Sequence, residues 1–408
     1  MSWLVLGLAR SGQAAALALR RRGEEVIGVD ASPSLDVGRL AESGVEIHLG
    51  TEEERLLDGV ETVVKSPGVP GEAPLVQAAR ARGIPVWSEV ELGSRLLGNP
   101  IVGVTGTNGK TTTSELLGVM LGAPVAGNVG RALSDLDGKI EPDELVVCEV
   151  SSFQLEDIHE FRPRVAVLLN LEPDHLDRHG SIDAYRTAKL RIFENQQEID
   201  DAVVPRGFEA VPGHARRIEF EPSDELPAEP LIPGAHNREN AAAATAAARA
   251  LEASDAQIAA ALETFAGVAH RLEPVGEVGG VRFVNDSKAT NTSAARRAVA
   301  AYDAPLHIIL GGRDKGESYT KLALDMAGRV RRAYLIGEAA SEIAPALELA
   351  GVEHELSGDL ETAVRSAAQN AQPGEVVLLA PACASYDQFH DYEERGDAFK
   401  RLVEEVAA

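Results

Sequence analysis

Gly103-Val-Thr-Gly-Thr-Asn-Gly-Lys-Thr-Thr-Thr113 is the stretch from which the architecture is most directly read. The apolar run Ile101 to Val104 reads as a strand, a glycine-rich turn follows it, and Lys110 opens a helix. In that order they form a cradle for nucleotide phosphates. Gly106 and Gly109 let backbone N–H groups close on phosphate oxygens, and the helix N-terminus adds its positive end. Lys110 reaches the terminal phosphates, and Thr111 offers a hydroxyl to Mg2+. The spacing departs from G-x-x-x-x-G-K-[ST], because Val104 stands where the first glycine would be. A turn and helix without a ligand is the alternative. ATP bound by Gly106, Thr107, Asn108, Gly109, Lys110, Thr111 and Thr112 is the reading carried forward.

The rest of the chain fits an ordinary soluble protein. Its 408 residues suffice for two or three domains, and 44% apolar with 25% charged residues is a globular composition. No segment approaches the roughly 18 consecutive apolar residues of a membrane span. Met1-Ser-Trp-Leu-Val-Leu-Gly7 lacks a basic region ahead of its apolar run, so it reads as a strand and not a signal peptide. A cytoplasmic protein without membrane insertion is expected. Cys148 and Cys383, the two cysteines, lie in apolar surroundings where reduced, buried thiols are common. The net charge of −25 argues against a nucleic-acid partner, since lysine and arginine contacts to phosphates supply most of that affinity. Anionic ligands must then meet local cations: Lys110, Lys189, Arg271, Lys288, Arg313, Lys315 and Mg2+.

On either side of this loop, apolar runs alternate with helical stretches. Trp3 to Leu6, a helix from about Gly12 to Arg22, and Val26 to Asp30 form a βαβ opening. It carries Gly7-Leu-Ala9-Arg-Ser-Gly12, a dinucleotide fingerprint with alanine for its second glycine; NAD, another ligand, or none all remain open at this point. Further strands are read at Thr62 to Val64 and Ile84 to Val86. A boundary falls near Gly98-Asn-Pro100. Strands follow at Leu145 to Val150 and Val165 to Asn170, then an irregular or short-stranded stretch from Asp200 to Pro233, then an alanine-rich helix from about Asn237. After a second boundary near Gly267, strands recur at Val281 to Val284, Ile308 to Leu310, Ala333 to Ile336 and Val376 to Leu379. The pattern predicts an α/β protein with mostly parallel sheets.

Ligand crevices in such sheets lie at the carboxyl ends of the strands. There the chain places Glu149, a second anchor for Mg2+ or a half-buried acid paired with a base. Glu172-Pro-Asp-His175-Leu-Asp-Arg-His179 suits metal or phosphate work, or is a surface charge cluster. Lys189, on the following helix, returns to the crevice or faces solvent. In the last third His270-Arg271, Asn285-Asp-Ser-Lys288-Ala-Thr290-Asn291, Gly311-Gly-Arg313-Asp-Lys315 and Pro381-Ala-Cys-Ala-Ser385-Tyr-Asp-Gln-Phe389 end apolar runs in the same manner.

Thr107-Asn-Gly-Lys-Thr111, Asp174-His175-Leu-Asp177-Arg178, Gly234-Ala-His-Asn237-Arg-Glu-Asn240, His270-Arg271 and Asn285-Asp-Ser-Lys288, in this order and spacing, resemble the Mur ligases over nearly the whole chain. These are ATP-dependent amide-forming enzymes of peptidoglycan synthesis. Ser151-Ser-Phe-Gln-Leu-Glu156 and Pro381 to Phe389 are similar to the branch that joins D-glutamate to UDP-N-acetylmuramoyl-L-alanine. The resemblance implies three domains: a Rossmann-like domain over 1–97 for the UDP-substrate, a central P-loop-type ATPase domain over 98–267, and a Rossmann-like domain over 268–408 for the amino acid. It implies UDP-substrate contacts at Leu8, Ala9, Arg10, Ser11, Asp30, Ala31, Ser66, Pro67, Gly68, Asn128 and Ser151. Asn237, Asn240, Arg271 and Asp286 would join the ATP site. Lys288, Thr290, Lys315, Ser385, Tyr386 and Tyr392 would line the D-glutamate pocket. Thr111, Glu149, His175 and a carbamylated Lys189 would serve the metals, two Mg2+ ions, with Lys110, His175 and Lys189 catalytic. Two departures stand out: Tyr392 replaces a familiar phenylalanine, and the 200–233 segment is short. Ligases of the same superfamily acting on folates or on the next stem-peptide residue are the alternatives.

Overall fold

A computed structural model describes residues 2–128, 130–232, 234–314 and 316–407, with Leu176 and Asp177 described by their backbone. The chain divides into two compact units, Met1–Phe265 and Ala266–Ala408. The architecture is α/β with mostly parallel sheets, as the alternating pattern predicts.

The first unit holds two sheets. One contains β1 (Ser2–Leu6), β2 (Glu25–Asp30), β3 (Glu46–Leu49), β4 (Thr62–Lys65) and β5 (Val86–Ser88), in the order β3-β2-β1-β4-β5, all parallel. Chain order reverses between β1 and β4, so the loops after these two strands flank the crevice that such a switch point creates. The other sheet contains β6 (Ile101–Thr105), β7 (Val125–Gly127), β8 (Val146–Glu149), β9 (Val165–Leu168), β10 (Asp201–Pro205) and β11 (Arg216–Phe220). Its order is β11-β10-β9-β6-β8-β7, again parallel, with β6 between β9 and β8. Every residue of β4, β6, β8 and β9 is buried, which is why these strands read as unbroken apolar runs and not as alternation.

The second unit carries β12 (Glu273–Val278), β13 (Val281–Asn285), β14 (Leu306–Gly311), β15 (Val330–Ile336), β16 (His354–Gly358) and β17 (Val376–Leu379), ordered β12-β13-β17-β14-β15-β16. The β12–β13 pair is antiparallel and the others are parallel. β14 and β17 are wholly buried between two apolar layers.

Within the first unit the helix Glu89–Leu97 ties the sheets together. The Glu91 carboxylate is buried and accepts backbone N–H bonds from His159, Glu160 and Phe161 at 2.8–3.1 Å, and Arg95 Nε at 2.6 Å. Those donors outweigh burial and hold its pKa below the usual carboxylate range.

Two sequence expectations need correction. The strand read at Ile84 to Val86 lies at Val86–Ser88, because Pro85 has no N–H to give; its carbonyl accepts from Val63 N at 2.9 Å and pairing starts one residue later. The helix read from Gly12 starts at Arg10. The stretch from Asp200 is short-stranded: β10 and β11 extend the sheet edge, and 206–215 and 221–232 are irregular. Pro233 lies outside the described residues. Cys148 and Cys383 are both free and buried. Among the described residues no helix is long and apolar enough to cross a membrane.

Candidate active site

The phosphate loop lies between β6 and the helix Lys110–Leu121. Gly109 caps that helix with φ +83°, a left-handed conformation in which a side chain is strained, and a Cβ there would run into the Asn240 amide. Asn240 stands on the helix Ala235–Ala250, so the glycine lets that helix approach the loop. A Gly109→Ala variant is expected to lose at least tenfold in affinity for an ATP analogue, measured by calorimetry, because both the backbone turn and the helix contact must shift. Unchanged affinity would remove this glycine from the cradle.

A clamp that the sequence reading did not assign holds the same loop. Thr107 N donates to Asn170 O at 3.1 Å and Asn108 N to Asn170 Oδ1 at 2.8 Å, at the end of β9. Thr107 Oγ1 meets the Tyr185 hydroxyl at 2.9 Å, and Asn108 Nδ2 donates to Glu172 Oε2 at 2.9 Å. Asn170 and Tyr185 therefore shape the turn from outside it. An asparagine ending a strand was the available signal, though many turns share it.

Two lysines converge on one carbonyl. Lys110 Nζ donates to Gly106 O at 2.9 Å and Thr107 O at 3.0 Å, and Lys189 Nζ donates to Gly106 O at 2.8 Å. Lys189 is only 2% exposed, on the helix Ile182–Leu190, so the reading of a solvated helical lysine is excluded. Burial, and next the Lys110 charge, pull its pKa down to about 6, against the opposing pull of Asp174 and Glu149.

Glu149 ends β8, 2% exposed, with Oε1 accepting from Asn128 Nδ2 at 2.9 Å. Among the described residues this buried carboxylate makes no ion pair, and no three or more His, Cys, Asp or Glu side chains gather to hold a metal by themselves, so a cation here would need phosphate and water to complete its shell. Thr111 is buried in the first turn of the loop helix. Oxygen donors of this kind match Mg2+, which takes few protein ligands and completes its shell with phosphate and water. His175 is half exposed, with Nε2 at 3.5 Å from Asp174 Oδ2. Its φ of +49° is rare for a side chain of that size; His270 at +61°, Leu272 at +43° and Ala382 at +61° share the feature inside or beside the quoted motifs, while Asp143 at +66° and Glu252 at +62° lie away from them. Strain of this kind concentrates at functional sites.

On the first sheet, Leu8 N donates to Asp30 Oδ2 at 2.6 Å and Ser66 Oγ to Gly7 O at 2.6 Å, so the turns after β1, β2 and β4 are tied to one another. Ser32 N donates to the other Asp30 oxygen at 2.8 Å, placing Ala31 within an Asp30 turn. Arg10 Nη1 reaches Gly130 O at 3.1 Å, while Ala9 and Ser11 border the start of the helix Arg10–Arg21. Ser151 spends its hydroxyl in a capping box with Gln154. Pro67 and Gly68 form the outer turn after Ser66, and Asn237 lies in the first turn of its helix.

The second unit gathers Lys288, Tyr392 and His270: Lys288 Nζ is 5.8 Å from the Tyr392 ring centre, and that ring meets His270 edge-on at 6.1 Å. Asp286 is buried, which pushes its carboxyl up to about 7 against the pull of Arg271. Thr290 follows at the same strand end, Ser385 is buried and Tyr386 is exposed. Lys315 lies outside the described residues. Arg395, another residue that the sequence reading missed, is 1% exposed and braces three motif residues. Its guanidinium donates to Ser287 Oγ at 3.0 Å, Ser287 O at 2.9 Å, Cys383 O at 3.2 Å and Ala384 O at 3.4 Å. In sequence it looks like a surface residue of the helix Tyr392–Ala407; the glycine after it, which leaves room for His270, was the only hint.

Cys383 has the surroundings of a packing residue and not of an activated nucleophile. Burial pushes its thiol up to about 11, with the Tyr319 hydroxyl at 3.3 Å. Cys383→Ala is expected to retain most activity, and an acyl group found on Cys383 by intact-protein mass would contradict this.

The chain matches three family descriptions in succession: Mur ligase MurD-like, N-terminal domain over residues 1–88; Mur ligase middle domain over 104–218; and Mur ligase, glutamate ligase domain over 270–383. It is 42% identical to the UDP-N-acetylmuramoylalanine--D-glutamate ligase of Acidobacterium capsulatum, over 98% of this chain and 95% of that one. Against the enzyme of the same name from Anaeromyxobacter dehalogenans the identity is 44%, over 99% and 97%. Among solved structures, UDP-N-acetylmuramate-alanine ligase MurC from Thermotoga maritima superposes with a TM-score of 0.61 at 20% identity, covering 99% of both chains. MurF ligase from Thermotoga maritima in complex with ADP gives 0.59 at 18%, covering 94% and 96%. At that identity the two structures support the three-domain fold alone, whereas the full-length likeness at over 40% identity goes further. The chain belongs to the Mur ligase family.

Proposed function

We propose that this chain joins D-glutamate to UDP-N-acetylmuramoyl-L-alanine at the expense of ATP, releasing ADP and phosphate, in the assembly of peptidoglycan precursors. The observation that carries the reading is the likeness to D-glutamate ligases at over 40% identity across 98% or more of the chain.

The chemistry starts from a poor electrophile. An alanyl carboxylate oxygen attacks the γ-phosphorus of ATP; the bond to the β,γ-bridging oxygen breaks, ADP leaves and an acyl phosphate forms. The amine of D-glutamate then attacks the acyl carbon, the C–O bond to phosphate breaks, and the nitrogen loses a proton. Both reactants of the first step are anionic. Lys110 and the N-terminus of its helix offset that repulsion and stabilise charge spreading over the transferred oxygens. Thr111, Glu149 and His175, with Lys189 once it carries a carbamate, would hold Mg2+, which would supply positive charge against the phosphates. His175 is our candidate for taking the amine proton, histidine being the side chain suited to proton transfer near neutral pH.

Turns after β1, β2 and β4 would hold the UDP part through Leu8, Ala9, Arg10, Ser11, Asp30, Ala31, Ser66, Pro67 and Gly68, with Asn128 and Ser151 facing the muramoyl end. By the same resemblance Arg271 and Asp286 would serve ATP, and Lys288, Thr290, Lys315, Ser385, Tyr386 and Tyr392 would serve D-glutamate. Sustained ADP formation, beyond about one equivalent per enzyme, should require the UDP-sugar and D-glutamate together. ADP formation supported by a different amino acid, with D-glutamate inert, would refute the reading.

A further inference from the structure

Arg178 belongs to the segment that bears His175, yet two of its hydrogen bonds leave that segment for the other sheet. Nη1 donates to Pro67 O at 3.2 Å and Nη2 to Val69 O at 3.3 Å, carbonyls more than a hundred residues away in sequence, in the turn after β4. The guanidinium is also stacked 3.7 Å from the centre of the Phe153 ring, in the short helix Ser152–Leu155 that follows β8. Phe153 in turn contacts His175 edge-on at 5.0 Å and lies parallel to His179 at 5.1 Å. His179 is fixed on both ring nitrogens, to Ser152 Oγ at 3.0 Å and Glu156 Oε1 at 3.2 Å.

The far end of this connection is equally anchored. Val69 O accepts a second bond from Lys65 Nζ at 3.3 Å; Lys65 is 1% exposed and paired with Asp157 Oδ2 at 3.0 Å. Ser66, at the start of the same turn, holds the turn after β1 through Gly7 O. One side chain thus joins the Ser66–Val69 turn of the first sheet to the Phe153 ring, which packs on His175 of the second, a residue whose backbone is held at positive φ. Arginine's planar fork serves two carbonyls at once while its face stacks on an aromatic ring, a combination a lysine ammonium lacks.

We infer that Arg178 is a positioning residue that couples occupancy of the Ser66–Val69 turn to the placement of His175, so that the UDP-sugar and the nucleotide strengthen each other's binding. The inference rests on the functional reading above. A ligand seated on the turn fixes the Pro67 and Val69 carbonyls, those carbonyls fix the guanidinium, and the guanidinium holds Phe153 and the His175 segment in one arrangement. Linkage requires the effect to be reciprocal, so the nucleotide must tighten the UDP-sugar by the same factor.

The test is a calorimetric binding square with UDP-N-acetylmuramoyl-L-alanine and the Mg2+ complex of the β,γ-imido analogue of ATP, each titrated alone and against the other. Wild-type protein is expected to show mutual tightening of about fivefold or more. In Arg178→Lys, and in Arg178→Gln as a second variant, that factor should fall to within about twofold of unity, while affinity for the nucleotide alone stays near wild type and kcat drops more than the KM for ATP changes. A purely structural role would instead lower Tm and weaken both ligands with the coupling factor preserved, and that result overturns the inference, as does a wild type without coupling. A wild type that binds the nucleotide but not the UDP-sugar overturns the functional reading along with it.

Discussion

Lys110→Ala is expected to fold normally and to lose phosphate release by about a hundredfold or more, the scale on which a single preorganised charge-stabilising donor acts in a transition state. The side chain contributes to the loop and not to an apolar core: its ammonium serves the carbonyls of Gly106 and Thr107. Thermal denaturation should therefore shift little while turnover collapses. A folded Lys110→Ala protein with near-normal turnover would remove the phosphate loop from the reaction.

Lys189→Ala is expected to be nearly as damaging, for a different reason. A buried ammonium at 2.8 Å from Gly106 O, in the field of Lys110, is held largely neutral above pH about 6. A neutral amine adds CO2: the nitrogen attacks the carbon, a proton is lost, and the side chain becomes a carbamate anion able to meet a hard cation. This accounts physically for the carbamylated lysine that the family resemblance implies. Small carboxylates such as acetate should then restore part of the activity of Lys189→Ala by filling the vacated anion position. For the wild type, activation by bicarbonate should appear as pH rises through about 6, where the amine loses its proton, and fade below it. A fully active Lys189→Ala variant, or one indifferent to acetate, would return Lys189 to a packing role.

The sequence made much of this architecture readable because buried parallel strands carry unbroken apolar runs. β6, β9, β14 and β17 stand out in that way, and each run ends in small or polar residues where the crevice must lie. β3, β7 and β16 were not readable, being three to five residues long and only partly buried, so no period accumulates. The phosphate loop and its lysine were legible from local chemistry alone. Much of what surrounds it was not: Asn170 and Tyr185 reach the loop across 62 and 78 residues of chain and nothing in their own neighbourhoods announces the meeting, whereas Lys189, 83 residues from Gly106, was a named crevice candidate whose burial only the structure decides. Arg395 is the clearest case, a helical arginine among charged neighbours whose burial depends on strand ends elsewhere in its unit. Arg178 was visible as part of a motif, but its bonds to Pro67 and Val69 are tertiary.

The fate of the carboxylate oxygens shows whether an acyl phosphate forms. With the alanyl carboxylate of UDP-N-acetylmuramoyl-L-alanine labelled by 18O on both oxygens, turnover in the presence of ATP and D-glutamate should place one 18O in the inorganic phosphate released and leave the other in the new amide. That distribution is required if the carboxylate attacks phosphorus and the amine then displaces phosphate at carbon. Unlabelled phosphate, with the displaced 18O found in AMP or water instead, would show that the carboxylate is activated by another route and would contradict the proposed reaction.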